Sequence, residues 1–364
     1  MIHNVFAHEI HQSIQAEMTN LGNFEVPLKY GDVHEEYSTL RNRVGIYDIS
    51  CLGKFKVEGE NAVDFLQKLL TKDIEYLSMD RSEVYLMLDQ QGSIIDQVNV
   101  YNFDDYYLIE CWPTRIEKVE NWLNDNLIDN VRVSNITQDL AVISIEGPYS
   151  WKVLQRLIDF DVVALSYQSF IETEISGITV TISRTGYTAE YGYKLMINPS
   201  EFADLWNLVV QQEDLVAPVG LAALEICRTE SRFAQLDDEA KHDEKVLEIG
   251  LNWMIDFNKE DYVGADALAE QKEDIKKRLV CFKALEQCDI PEGSSVYADT
   301  IVIGTVSQNV FSPTLDTTIG VAFLQTEFAA ADLALKVDTG SQLSSIMTVS
   351  APFITPKSWA IKME

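Results

Sequence analysis

The chain reads as an α+β protein with a β-rich C-terminal domain, and three observations point there. Strand-like pairs alternate with single amphipathic helices over roughly the first three quarters, without the regular strand–helix–strand repeat of a doubly wound sheet. From about Lys277 onward, short β-rich segments follow one another and nothing reads as helical. At 364 residues the chain also exceeds what one hydrophobic core supports, so two or three domains are expected.

The helices come from apolar period. Glu60 to Leu70 sets Ala62, Val63, Leu66, Leu69 and Leu70 on one face, and Ile116 to Ile128 does so with Ile116, Val119, Leu123 and Leu127. Trp151–Ile158 and Phe202–Val209 are further amphipathic stretches. Between them lie strand-like runs at Lys54–Val57, Val84–Leu88, Gln97–Tyr101, Tyr106–Cys111, Val131–Val133 and Leu140–Ile145. Phe170 to Ser183 reads as a hairpin turning at Ser176-Gly177. In the last quarter, strands are expected at Arg278–Ala284, Ser295–Tyr297, Ile301–Ser307, Ile319–Phe323, Leu333–Val337 and Ser345–Val349, as a sandwich or barrel. The charged stretch Glu270–Lys277 is the expected boundary.

Composition excludes several function classes. Asp and Glu number 58 against 28 Lys and Arg, a formal charge of −30. Such a surface repels phosphate backbones and anionic bilayers, so neither nucleic acid nor a membrane is expected as a partner. Solubility or a salty habitat is the plain reading of this charge, and partner selection the sharper one. No apolar run approaches the roughly 20 residues of a spanning helix. Met1 to Met18 lacks a secretory apolar core, and the five cysteines form no CxxC pair, so a cytoplasmic protein without a zinc or disulfide framework is expected. Phosphate-loop, HExxH and GxSxG motifs are absent, and with few histidines a histidine triad or multi-histidine metal site is not expected.

A series of segments takes the reading further. "VPLKY" (Val26–Tyr30), "GIYDIS" (Gly45–Ser50), "LDQQGSIIDQVNVY" (Leu88–Tyr101), "IEGP" (Ile145–Pro148) and "RTGYTAEYGYKL" (Arg184–Leu195) resemble, in order, signatures of the glycine-cleavage T-protein (aminomethyltransferase) family. "APVGLAALEICRTESR" (Ala217–Arg232), "EIGLNWMI" (Glu248–Ile255), "KEDYVGADAL" (Lys259–Leu268), "IGTVSQNVFSPTLDTTIGVAF" (Ile303–Phe323) and "APFI" (Ala351–Ile354) continue the resemblance over essentially the whole chain.

That resemblance implies a three-domain cloverleaf around tetrahydrofolate, with a C-terminal barrel or jelly roll. The expected division is a folate-binding region over 1–275, in two interleaved lobes (1–50 with 137–240, and 51–136 with 241–275), followed by the β domain over 276–364. It further implies transfer of an aminomethyl or methyl unit to folate. The donor would be a small methylated compound or, in the alternative, the lipoyl arm of a carrier protein. A folate-binding protein without turnover is the third reading.

Residue by residue, the resemblance places Glu190 on the pterin, where a carboxylate accepts paired N–H donors; a surface glutamate at a hairpin bend is the other reading. Tyr187 lines the pocket or the core, Tyr101 is a further folate-contact candidate, and Arg228 grips the folate tail or a structural carboxylate such as Glu230. The departures are specific. Where the family carries two adjacent aspartates with the second catalytic, this chain has Asp96-Gln97. Strand alternation turns Asp96 to the opposite face, so it substitutes only if a bulge rotates it inward. Cys111 stands for an asparagine near the folate, Tyr191 for an acidic residue, Leu224 for an arginine, and Leu236–Glu239 for a Tyr-Gly-Asn-Asp loop.

Overall fold

A computed structural model describes residues 3–212, 214–242, 244–259 and 261–363. The chain divides into two compact units: residues 1–87, 95–227 and 356–364 form the first, and 88–94 with 228–355 the second.

Six strands position the functional region of the first unit: β1 (Val44–Asp48), β2 (Gly53–Glu58), β3 (Ile94–Asn102), β4 (Tyr107–Cys111), β5 (Ala141–Glu146) and β6 (Gly192–Ile197). One sheet runs Phe170–Ile175, Ile178–Ser183, β6, β5, β1, Val216–Pro218, antiparallel except for the last pair. A second runs Arg81–Leu88, β3, β4, β2, Arg132–Asn135.

Strands β1, β5 and β6 are buried on both faces, and alternation gives those faces different characters. Ile46, Ile143, Ile145, Tyr193 and Leu195 enter an apolar core. Covering them, the helix Phe202–Val210 buries Phe202, Leu205, Trp206 and Val209, an i, i+3, i+4, i+7 stripe. The opposite face carries Tyr47, Ser144, Glu146 and Lys194, in register across the three strands. The Phe170–Ser183 hairpin forms as expected, with φ of 52° at Ser176 and 83° at Gly177, the left-handed pair that a two-residue turn requires.

Helix α1 (Val33–Asn42) has no counterpart among the sequence expectations. Asp32 caps it by accepting from the His34 and Glu35 amides. Its inward face is partly charged, which breaks the apolar period. Glu36 accepts from the backbone amides of Tyr30, Gly31 and Gly220, and Arg41 donates to the carbonyls of Thr188 and Cys227.

In the second unit all six expected strands form, and they close into a barrel ordered Lys277–Ala284, Thr317–Gln325, Ile301–Ser312, Ser295–Ala298, Ala334–Asp338, Leu343–Val349. Closure removes exposed edges. Between Val306 and Gln308 the register of the long strand shifts, the device by which such a strand bends around a small barrel. Phe282, Ile303, Val306, Leu324, Val337 and Ile346 fill its interior. Among the described residues no helix is long and apolar enough to cross a membrane.

Candidate functional site

The polar face of the first sheet meets the second sheet at a buried cluster of charges. Glu110 on β4 is 3% exposed and pairs with the fully buried ammonium of Lys194 on β6. The Tyr187 hydroxyl donates to Glu110 Oε1 at 3.2 Å and accepts from Lys194 Nζ at 3.0 Å. Burial opposes the charge on Lys194, but Glu110, Tyr101 and Tyr187 outweigh it and hold its pKa well above the usual lysine value. Tyr187 and Tyr101 are pushed up by burial and then by the Glu110 charge, so both stay protonated.

Register places further groups on the same face. Glu110 lies directly opposite Asn99 on β3 and Lys54 on β2. Lys54 is fully buried, donates to the Ser50 carbonyl at 2.8 Å, and has its pKa lowered to about 8 by burial. Two buried atoms here, Glu110 Oε2 and Asn99 Oδ1, accept no hydrogen bond among the described residues. The Tyr101 hydroxyl sits close to Ser183 and Thr185 without a bond of ordinary geometry.

A second carboxylate shapes the segment that delivers Tyr187. Glu146 is fully buried and accepts from the Tyr187 amide at 3.0 Å, the Thr188 amide at 2.9 Å, Thr188 Oγ1 at 2.6 Å and Ser144 Oγ at 3.2 Å, with the Tyr47 hydroxyl as a further donor. Gly186 permits this approach, because a Cβ there would fall 2.7 Å from the Glu146 carboxyl carbon.

Residues 7–259 match the GCVT N-terminal domain, and residues 277–354 match the glycine cleavage T-protein C-terminal barrel domain. The chain belongs to the glycine cleavage T-protein family. It is 32% identical over 344 residues to an aminomethyltransferase of Anoxybacillus flavithermus, covering 93% of this chain and 94% of that one. An aminomethyltransferase of Thermotoga maritima is 30% identical over 349 residues, 95% and 96% of the two chains. The glycine cleavage system aminomethyltransferase T of Bartonella henselae shares the fold, with a TM-score of 0.90 at 20% identity over 98% of this chain and 99% of that one.

The T-protein resemblance singled out positions on several elements, and the structure distributes them. Asp96 and Gln97 take opposite faces of β3. Asp96 is 1% exposed and accepts from the Trp112 amide at 3.3 Å, whereas Gln97 shares parity with Asn99 and Tyr101. Cys111 lies on the Asp96 face: a Cβ on Gly53 would stand 2.4 Å from its sulfur, and burial followed by the Asp96 charge raises its thiol pKa well above the ordinary value. Tyr101 and Tyr187 belong to the buried cluster.

Glu190 is placed elsewhere within the first unit. Its oxygens accept from Arg41 Nη1 at 3.2 Å, the Lys357 amide at 3.2 Å, the Ser358 amide at 2.9 Å and Ser358 Oγ at 2.6 Å. Both oxygens are thus engaged by the protein's own donors, and Glu190 anchors the segment after Thr355. Arg228 lies in the second unit, buried, with Nη2 3.5 Å from the Ala234 carbonyl. Leu224 lines an apolar cleft with Val26, Cys51, Leu52, Trp112 and Leu221. In the second unit, the Leu236–Glu239 segment is a short helix whose Glu239 is buried and held bidentately by Arg232 at 2.9 Å and by Gln308 at 3.2 Å.

Sequence reasoning passed over Glu110, Lys194, Lys54 and Asn99. The available signal was a charge inside an otherwise apolar strand, as in Tyr107–Cys111 (YLIEC) and Gly192–Ile197 (GYKLMI). It also set aside histidine, yet His11 is fully buried in a Tyr–His–Asp string. Its Nδ1 is 2.8 Å from the Tyr30 hydroxyl and its Nε2 3.2 Å from Asp48 Oδ2. The string lacks an activated nucleophile, since burial raises the tyrosine pKa. Among the described residues no group of three or more His, Cys, Asp or Glu could hold a metal.

Proposed function

We propose that the chain is a cytoplasmic, tetrahydrofolate-dependent one-carbon transferase acting on an aminomethyl or methyl donor. The observation that carries this reading is the pair of buried acceptors, Glu110 Oε2 and Asn99 Oδ1, left without donors inside the Tyr187–Lys194 cluster. Buried polar atoms of this kind ordinarily have partners, and a ligand with an N–H edge would complete them. The aminopyrimidine side of a reduced folate is such an edge, so the residues present fit the group. When bound, tetrahydrofolate supplies the nitrogen that receives the one-carbon unit. The protein's part is to orient it: Tyr187 and Tyr101 offer ring surface and protonated hydroxyls, and Lys194 fixes one oxygen of Glu110.

The donor is either a small methylated amine, ether or thioether, or the aminomethyl-lipoyl arm of a carrier protein. Because Glu239 is ion-paired and buried, the Leu236–Glu239 segment gives less support to a cationic small donor than its composition suggests. A second reading, folate binding without turnover, is favoured by Gln97, because an amide neither takes up a proton nor balances a developing cation.

Calorimetric titration with tetrahydrofolate tests the common core of these readings, and folate product formation with each donor class separates them. Binding with turnover on the carrier arm assigns the glycine-cleavage donor. Turnover on small donors alone assigns the other. Binding without product supports the second reading, and no binding removes folate from the account.

A further inference from the structure

Within the folate reading just proposed, the position of the site's carboxylate follows from strand register. The resemblance puts a catalytic carboxylate at position 97, where this chain has an amide, and Asp96 accepts the Trp112 amide on the opposite face. Gln97, Asn99 and Tyr101 project from one face of β3. Asn99 is the direct cross-strand partner of Glu110, so the Glu110 side chain emerges on that face beside Asn99. Gln97 is then its diagonal neighbour, a separation of roughly 7–8 Å between backbone positions.

We infer that Glu110 is the ligand-facing carboxylate of this site, supplied by β4 in place of the one missing at position 97 on β3. Lys194 Nζ and the Tyr187 hydroxyl both bind Oε1, which fixes the carboxylate plane and leaves Oε2 buried and open to a donor. Oε2 accepts an N–H of the bound folate, with Asn99 Oδ1 as the adjacent acceptor.

The test measures tetrahydrofolate affinity of the full chain by calorimetry in wild type, Glu110→Gln and the carboxylate-exchange variant Glu110→Gln/Gln97→Glu. Wild type binds, Glu110→Gln binds about thirtyfold more weakly, as expected for one lost charge-assisted hydrogen bond, and the exchange variant recovers to within about fivefold. Because Glu110→Gln leaves a buried ammonium facing an amide, Glu110→Gln/Lys194→Met is measured beside it, removing both charges together. This pair variant is expected to keep the wild-type circular dichroism spectrum while also losing affinity. In wild type carrying δ-¹³C glutamate, the resonance missing from the pair variant is expected to shift when tetrahydrofolate is added. Wild-type affinity in the pair variant, or an unmoved resonance in a wild-type protein that binds folate, overturns the assignment of Glu110 and leaves the folate reading standing. Failure of wild type to bind overturns both.

Discussion

Glu110 and Lys194, 84 residues apart in sequence, form an ion pair whose side chains are 3% and 2% exposed, bridging the two sheets of the first unit. A pair this deep is a weak source of net stability, because desolvation offsets most of the Coulomb gain. Breaking it from one side is another matter, and the same logic governs several neighbouring groups.

Glu146→Gln is expected to destabilise the protein by about 3 kcal/mol, because its carboxylate accepts two backbone amides and three hydroxyls while buried. Urea titration measures the loss. Hydrogen exchange should accelerate first at the amides of Tyr187 and Thr188; unchanged protection there would contradict the role assigned to Glu146.

Ala189 has a φ of 62°, in the left-handed region that costs a residue with a Cβ about 1 kcal/mol or more. Ala189→Gly relieves that strain while adding freedom to the unfolded chain, so the expected net gain is a few tenths to about 1 kcal/mol. A rise in the melting temperature checks it, and a fall would mean that the Ala189 methyl makes contacts worth more than the strain.

Lys54 gives a pH-dependent signature. Its pKa is lowered from 10.5 to about 8 by burial, so between those values the unfolded chain binds the extra proton and stability rises with pH. Below pH 8 both states are protonated and the full cost of burying the ammonium, about 3 kcal/mol, is present. Lys54→Met is therefore expected to stabilise the protein at pH 7, with an advantage that shrinks toward pH 10. Denaturant titrations of both proteins at each pH measure this difference. The difference matters because Cys51, whose thiol is raised to about 12 by burial, makes stability fall with pH above its ordinary value of 9.

Glu190→Ala is expected to cost about 3–5 kcal/mol by removing the buried Arg41–Glu190 ion pair and releasing the amides of Lys357 and Ser358. Exchange at residues 357–363 should rise. Folate affinity should stay within a few-fold of wild type wherever the variant remains folded; a total loss of affinity in a folded variant would return Glu190 to the pterin.

The two categories of residue in this site differ in how far the sequence exposes them. Strands such as Tyr107–Cys111 and hairpins such as Phe170–Ser183 were legible, because apolar alternation and a Ser-Gly turn are local properties. The six C-terminal strands were legible for the same reason, and the resemblance implied a barrel or jelly roll; the order in which the strands close that barrel is a matter of which edges meet. Helix α1 was missed because Glu36 and Arg41 occupy inward positions that an apolar period leaves to hydrophobic residues.

By itself, the sequence determined the family and most of its strands, and the resemblance implied a carboxylate where Gln97 stands. Tertiary structure decided which charges meet. Glu190 pairs with Arg41 and the segment after Thr355, while Glu110 pairs with Lys194, and nothing local to either glutamate distinguishes them. A buried charge must find its partner wherever the fold brings one, because low dielectric makes isolation prohibitive. That partner comes from sheet register and sheet packing, and these are properties of the folded chain.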